Sequence, residues 1–283
     1  MVNGQKITNK DSIATEFDNY FSNIAETLAS QLPDVDSNFK DFLGNTVNDN
    51  FVFNQISPND VIQMINDFND SACGYDGISI RLIKLSRDKI CEVLTHICNL
   101  SLAAGIFPHE LKIAKITPIF KTGKANDVKN YRPISVLPAI SKIIEKCVLL
   151  QLEEFMTAHD ILTECQFGFR GGRSTETAVQ TFVDDVYCSF DAGEAVAAVF
   201  LDLSKAFDTV HHSTLLEKLY HYGIRGVSLD WFKSYLSGRK HFVNIDNHSS
   251  DLCNIVYSVP QGSILGPTLF NIYINDIVHS TRN

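Results

Sequence analysis

Seven apolar residues in a row, Ala195 to Leu201 in "AVAAVFLDLSKAFDTV", end abruptly in a carboxylate, Asp202. An uninterrupted apolar run of this length, bounded by turn residues, suits a strand buried on both faces and is too short for a core helix. A buried strand needs pairing partners on its edges and a layer over each face. The chain that contains it is therefore expected to build a layered sheet. A charge at the end of such a strand lies where it reaches solvent or a metal while standing on a rigid sheet. Asp202 also has an ordinary reading, as the cap of a following helix.

The remaining chain supplies enough material for such layers. Its 283 residues are 45% hydrophobic and 20% charged, a balance that excludes a disordered chain. No apolar stretch approaches the roughly 20 residues of a membrane span. The polar start "MVNGQKITNKDS" does not resemble a secretory signal. Seven cysteines without paired spacing point to reduced thiols and an intracellular protein, and the Cys91, His96, Cys98 group lacks the second ligand pair of a zinc site.

The helix and strand signals are mostly local. Residues 11–31 place Ile13, Phe17, Phe21, Ile24 and Leu28 on one helical face, and an acidic linker "LPDVDSNFKDFLGNTVNDN" follows. Ser57, Pro58 and Asp60 form a capping box that starts a helix, and "GYDG" is a turn. A long helix is expected from Ser79 to Ala104, stopped by Gly105. "IAKITPIF" and "RPISVLP" read as two short strands around a basic loop, and a helix follows over 139–158. After the glycine-rich "QFGFRGGRS", Ser174 or Thr175 caps a helix reaching Phe190. Beyond the apolar run come helices near 213–222 and 228–237, a hairpin over 241–259, and a final apolar helix over 267–279. This order predicts an α+β fold.

Charge is unevenly spread. The net charge is −9, which by itself argues against a nucleic-acid partner. Residues 1–70 carry most of that excess, with 11 acids against 3 bases. Lys112, Lys115, Lys121, Lys124, Lys129 and Arg132 crowd together with Asp127 as their only acid. Such a patch attracts a phosphate chain, or is simply a solvated surface. Lys121 and Arg132 stand at the ends of the two strands, where a pair of cations can grip a triphosphate. In "VPQGSILGPTLFNIYINDI", Gln261 and Gly262 mark a side-chain-poor turn that lets backbone approach a flat base or a sugar.

Six stretches, "SACGYDGIS", "ITPIFKTGK", "NYRPISVLPAISKIIEK", "QFGFRGGRSTETA", "FLDLSKAFDTV" and the 259–277 segment, occur in an order that resembles the reverse transcriptase domain of non-long-terminal-repeat retrotransposons with an upstream endonuclease. The resemblance covers nearly the whole chain. It implies a right-hand polymerase architecture: a helical extension and acidic linker over 1–56, fingers over 57–193, and a partial palm over 194–283, an antiparallel sheet backed by helices. It implies that Asp202 and the backbone carbonyl of Leu203 hold catalytic magnesium, two ions in a complete domain. Lys121 and Arg132 would grip the incoming deoxynucleoside triphosphate. Lys205 and Ala206 would lie beneath phosphates and sugar. Phe207 would be the steric gate against a 2′-hydroxyl, or a core aromatic, or both. Gln261 and Gly262 would line the nucleotide and template position. Gly168, Arg170 and Arg173 would support the fingers or contact template, and Tyr75 and Asp76 would be structural. The implied partners are an RNA template and a DNA primer, with no membrane, and work on chromosomal DNA implies a nuclear step.

One part of the pattern is missing. The family carries a second acidic motif, Tyr-Ala-Asp-Asp, on a hairpin after the last helix, and no such motif occurs before the final "HSTRN". The expectation is a fragment without thumb or nucleotidyl transfer, left with an unpaired Asp202 strand and poor solubility. The alternative is a non-catalytic RNA-binding remnant of a retroelement. A phosphatase-like reading of Asp202 lacks the second Asp, because position 204 is Ser, and a P-loop reading of "KTGKAND" lacks the required glycine and hydroxyl residue.

Overall fold

The computed structural model describes residues 7–31, 38–255 and 257–280. The polar start through residue 6, positions 32–37 of the acidic linker, position 256 of the expected hairpin and the end of "HSTRN" lie outside the described residues.

Eight α-helices are seen among these residues. They are α1 (Lys10–Ala29), α2 (Pro58–Asp67), α3 (Ile80–Ala104), α4 (Ala139–Ala158), α5 (Thr175–Asp191), α6 (His212–His221), α7 (Val227–Leu236) and α8 (Gly266–Ile274). Their ends follow from side-chain chemistry. Ser57 and Asp60 exchange hydrogen bonds across the first turn of α2 as a capping box, with Pro58 at the start. Ser79 caps α3 and left-handed Gly105 ends it. Ser174, not Thr175, caps α5. The "GYDG" turn closes through Gly77 N–H to Gly74 O (3.3 Å), and Tyr75 Oη donates to Glu110 O (2.8 Å).

The sheet has five strands: β1 (Ile113–Phe120), β2 (Tyr131–Val136), β3 (Lys240–Ile245), β4 (His248–Ser249) and β5 (Cys253–Asn254), in the order β2-β1-β3-β4 with β5 also on β3. It is mixed. β1 and β2 pair antiparallel, but β1 and β3 run parallel from Ile113↔Lys240 to Ile116↔Val243. The strands within 194–283, β3 with β4 and with β5, pair antiparallel as expected, while the parallel β1–β3 pair departs from an antiparallel sheet. More than a hundred residues, including α4 to α7, separate the two strands, which is ample for the crossover that a parallel pair requires. Asp246 and Asn247, both at positive φ, make the tight β3–β4 turn.

Two apolar clusters hold these layers. The larger joins α2, α3, α4, α6, α7 and α8 around Ile65, Ile143, Leu152, Leu219, Trp231 and Leu269, all fully buried. Burying one such aliphatic side chain stabilises by about 1.5–3 kcal/mol. Trp231 stacks on Tyr235 with rings 5.4 Å apart and donates Nε1–H to Ser101 Oγ (3.0 Å). The smaller cluster packs Ala14, Phe17 and Phe21 of α1 against Ala114, Ile116 and Val243 of the sheet. Cys91 and Cys98 are buried along α3, and Cys98 Sγ lies 4.0 Å from Cys147 Sγ of α4. No helix among the described residues is long and apolar enough to cross a membrane.

The opening run departs from expectation. Residues 194–203 form no strand and are exposed, with Val199 81%, Phe200 85% and Leu201 85% accessible. A strand exists only where neighbours accept its N–H and C=O groups. Among the described residues no strand flanks this segment. Among the described residues its one ring contact is Phe200 edge-on to Phe182 of α5 at 5.9 Å. α5 is itself exposed along Val179, Phe182, Val183, Tyr187 and Phe190.

Candidate functional site

The site assembles where the β1–β2 hairpin meets the turn after the apolar run. β1 and β2 place Ile119 opposite Arg132 and Phe120 opposite Tyr131, and Lys121 N–H continues the ladder to Asn130 O (2.8 Å). Lys121 and Arg132 therefore leave the hairpin end on adjacent strands, both exposed. Residues 204–209 form a turn in which Lys205 takes a left-handed conformation (φ 55°), with Asp208 N–H bonded to Lys205 O (2.8 Å). The Lys205 ammonium lies 3.5 Å from Tyr131 O and 5.7 Å from the Tyr20 ring centre. Burial lowers its pKa first. Asp208 opposes that shift, and the nearby charges of Lys121 and Arg132 add to it. Three cations from three chain segments thus share one electrostatic neighbourhood. Lys112 does not join them: it is buried, with its ammonium 3.4 Å from Ser234 Oγ, and burial lowers its pKa.

Asp202 and Leu203 are exposed, and among the described residues the Asp202 carboxylate has no hydrogen-bond or ion-pair partner. Asp202 caps no helix, since α6 begins only at His212 after His211. Phe207 stacks on Phe270 of α8 (4.8 Å, 24°) and meets Phe169 edge-on (5.9 Å), and Ala206 packs beside it on the main core. Its role as a core aromatic is therefore visible.

Gln261 O accepts from Ser135 N–H (2.8 Å), so the Gln261 turn docks on β2. Gly262, at φ 117°, faces Ser135 directly: a Cβ there would lie 2.5 Å from the Ser135 carbonyl oxygen. The close approach this glycine permits is to β2 backbone. Behind the turn, the fully buried Glu145 of α4 accepts from Ile264 N–H (2.7 Å), Leu265 N–H (3.3 Å) and Ser141 Oγ–H (2.8 Å). Burial raises its pKa despite these donors and nearby Arg239. In front, Gln261 Nε2 donates to Asp208 Oδ1 (2.8 Å).

The glycine-rich loop lies apart from the cations and packs on α8. Gly168 O accepts from Asn271 Nδ2 (3.0 Å). Arg170 donates to Thr163 O (2.7 Å) and pairs with Glu164, while Arg173 donates to Glu164 O (2.6 Å), pairs with the same carboxylate and stacks over Phe167. Both guanidinium groups are thus engaged in shaping the loop. Asp208, Glu145 and Tyr20 were not singled out by sequence. Asp208 follows Phe207 in "KAFD", a visible acid whose partner lies 53 residues away.

Comparison with known proteins matches residues 119–283 to the family described as Reverse transcriptase (RNA-dependent DNA polymerase). The chain belongs to this family. It is 33% identical over 215 residues to the probable RNA-directed DNA polymerase from transposon X-element of Drosophila melanogaster, covering 76% of this chain and 24% of that protein. It is 36% identical over 207 residues to the RNA-directed DNA polymerase from mobile element jockey of the same species, covering 73% and 22%. It is also 26% identical over 223 residues to the Pol polyprotein from the type-1 retrotransposable element R2 of Popillia japonica, covering 77% and 30%. The chain is a reverse transcriptase domain of the non-long-terminal-repeat type, and it spans about a quarter of the length of the first two relatives. α1 to α3 lie outside the matched family region.

Proposed function

We propose that this chain supplies the fingers and part of the palm of an RNA-directed DNA polymerase, with boundaries near residues 57 and 194. The observation that carries the reading is the convergence of Lys121 and Arg132 at the end of the β1–β2 hairpin with the Lys205 ammonium, 3.5 Å from Tyr131 O. Phosphoryl transfer requires little of a protein beyond positioning and charge neutralisation. Three cations on ordered backbone suit a triphosphate, whose β- and γ-phosphates need both. The primer 3′-oxygen attacks the α-phosphate and pyrophosphate leaves. Phe207, fixed between Phe270 and Phe169, is rigid enough to exclude a 2′-hydroxyl at the sugar. Gln261 and Gly262 flank the base and template side. RNA template and DNA primer are the proposed partners, and the family's work on chromosomal DNA implies a nuclear step.

The free Asp202 carboxylate and the Leu203 carbonyl are hard oxygen donors of the kind magnesium takes. They would hold part of a two-ion site, and bound magnesium would neutralise charge on the attacking and leaving oxygens. No Tyr-x-Asp-Asp sequence occurs in residues 1–283. We therefore propose that these residues by themselves bind substrates without joining them.

The test is primer extension and RNA binding by the 283-residue chain. Salt-dependent RNA binding without extension is the expected result. Lys121, Lys124, Lys129 and Arg132 would give a log–log salt slope of about −3 on single strands. Extension that disappears in Asp202→Asn would overturn the proposed inactivity. Binding unaffected by salt and by Lys121→Ala with Arg132→Ala would overturn the nucleic-acid reading.

A further inference from the structure

Residues 207–210 are zipped to 258–259 by Val259 N–H to Phe207 O and Ser258 N–H to Val210 O, both 3.1 Å. His212 Nε2 adds a contact to Ser258 O (2.7 Å). Asp208 and Gln261 thus stand on two segments in fixed register, and the 2.8 Å bond from Gln261 Nε2 to Asp208 Oδ1 closes the zip. An ionised carboxylate only accepts, whereas a glutamine amide presents a donor on one side and an acceptor on the other. A free glutamine can turn either side toward a ligand, since its terminal torsion is broad and roughly two-fold. With Asp208 beside it, Gln261 must commit its nitrogen there and offers one fixed arrangement of its oxygen and remaining N–H.

Stability does not account for Asp208. Its other oxygen, Oδ2, is shielded from solvent and has no hydrogen-bond partner among the described residues. Burial raises its pKa, with the Gln261 bond and Lys205 opposing the rise. Tyr20 of α1 and Lys205 are the other titratable groups that feel its charge. A half-satisfied buried carboxylate costs stability, so its place here calls for another reason. We infer that Asp208 is a positioning residue that fixes which face of the Gln261 amide meets the incoming nucleotide. This rests on the reading that Gln261 faces the nucleotide.

The test is a double-mutant cycle on primer extension, in a chain carrying residues 1–283 together with a second carboxylate hairpin. Asp208→Asn keeps shape but lets the facing amides pair either way round. The expected result is a KM for deoxynucleotide raised about tenfold, equivalent to about 1.4 kcal/mol, with kcat within about twofold. In a Gln261→Ala background the same change should add nothing. Effects that multiply in the double mutant, or a loss confined to kcat, would overturn the positioning role. An unchanged KM in Gln261→Ala alone would instead overturn the reading beneath it. A second measurement needs no catalysis. The Gln261 side-chain amide resonances of the 283-residue chain should move with pH as Asp208 titrates, and should be static in Asp208→Asn. Resonances that are already static in the unsubstituted chain would overturn the inference, and that comparison decides even if Asp208→Asn fails to fold.

Discussion

Gly262→Ala asks whether the Gln261 turn is held by close backbone contact with β2. A Cβ at this position would lie 2.5 Å from Ser135 O, about 1 Å short of comfortable carbon contact, and the atom it meets is backbone. The turn must therefore back away. Doing so breaks the Ser135 N–H to Gln261 O bond, a loss of about 0.5–1.5 kcal/mol. Holding alanine at φ 117° adds roughly 1–3 kcal/mol. The expected cost is about 2–4 kcal/mol. Gly77→Ala is the control: its φ is +70°, and nothing lies within 4 Å of a Cβ there. It should cost about 1–2 kcal/mol from backbone conformation alone. Urea unfolding of both variants, with matching slopes, measures the difference. Equal costs within about 0.5 kcal/mol would refute the close-contact argument, because the conformational penalty alone would then account for both.

Two further substitutions probe the buried polar groups around this framework. Glu145→Ala should cost about 3 kcal/mol or more by leaving Ile264 N–H, Leu265 N–H and Ser141 Oγ without their acceptor. The raised pKa of Glu145 in the folded chain, against 4.5 in the unfolded one, means that the unfolded state ionises first as pH rises. Glu145 therefore favours folding less as pH climbs from about 4.5 to its folded pKa; Glu145→Gln should flatten that fall, and urea midpoints that track the unsubstituted chain across this window would contradict it. Ser101→Ala removes the acceptor of Trp231 Nε1–H (3.0 Å) and the donor to Ile106 O (2.6 Å), and should cost about 2–4 kcal/mol in thermal or urea unfolding.

The pieces of this fold that sequence makes legible are those whose cause is local. Ser57 with Asp60, Ser79 with Gly105, and Ser174 each fix a helix end within four residues of chain, and the β1–β2 hairpin needs only a ten-residue loop. The parallel pairing of β1 with β3 depends on how a long crossover packs, which no window of sequence contains. The candidate site divides in the same way. Lys121 and Arg132 are visible as cations at strand ends. The partnership of Asp208 with Gln261, and of Glu145 with the 264–265 backbone, joins residues 53 and about 120 positions apart. Gly262 was legible as a glycine demanding close approach, and the close approach seen is to Ser135 O of β2, 127 positions away in the chain.

The apolar run before Asp202 shows why strand composition alone does not make a strand. Val199, Phe200 and Leu201 have every side-chain preference for a sheet, yet a ladder is a property of pairs, and here the described residues offer no flanking strand. The consequence for the site is a division of labour along a few residues. From Lys205 onward the chain is fixed by the turn and by the 207–210 to 258–259 zip, so the cationic half is preorganised. Asp202 stands just upstream of that zip, on backbone held by no ladder. Binding and chemistry should therefore separate by substitution. Asp202→Asn removes a solvated, unpartnered carboxylate and should leave unfolding midpoints and RNA affinity unchanged, while Lys205→Ala removes a cation from the ordered half and should weaken binding. A loss of stability in Asp202→Asn comparable to that of Gly262→Ala would show that the 194–203 segment is packed, and that the two halves are built as one.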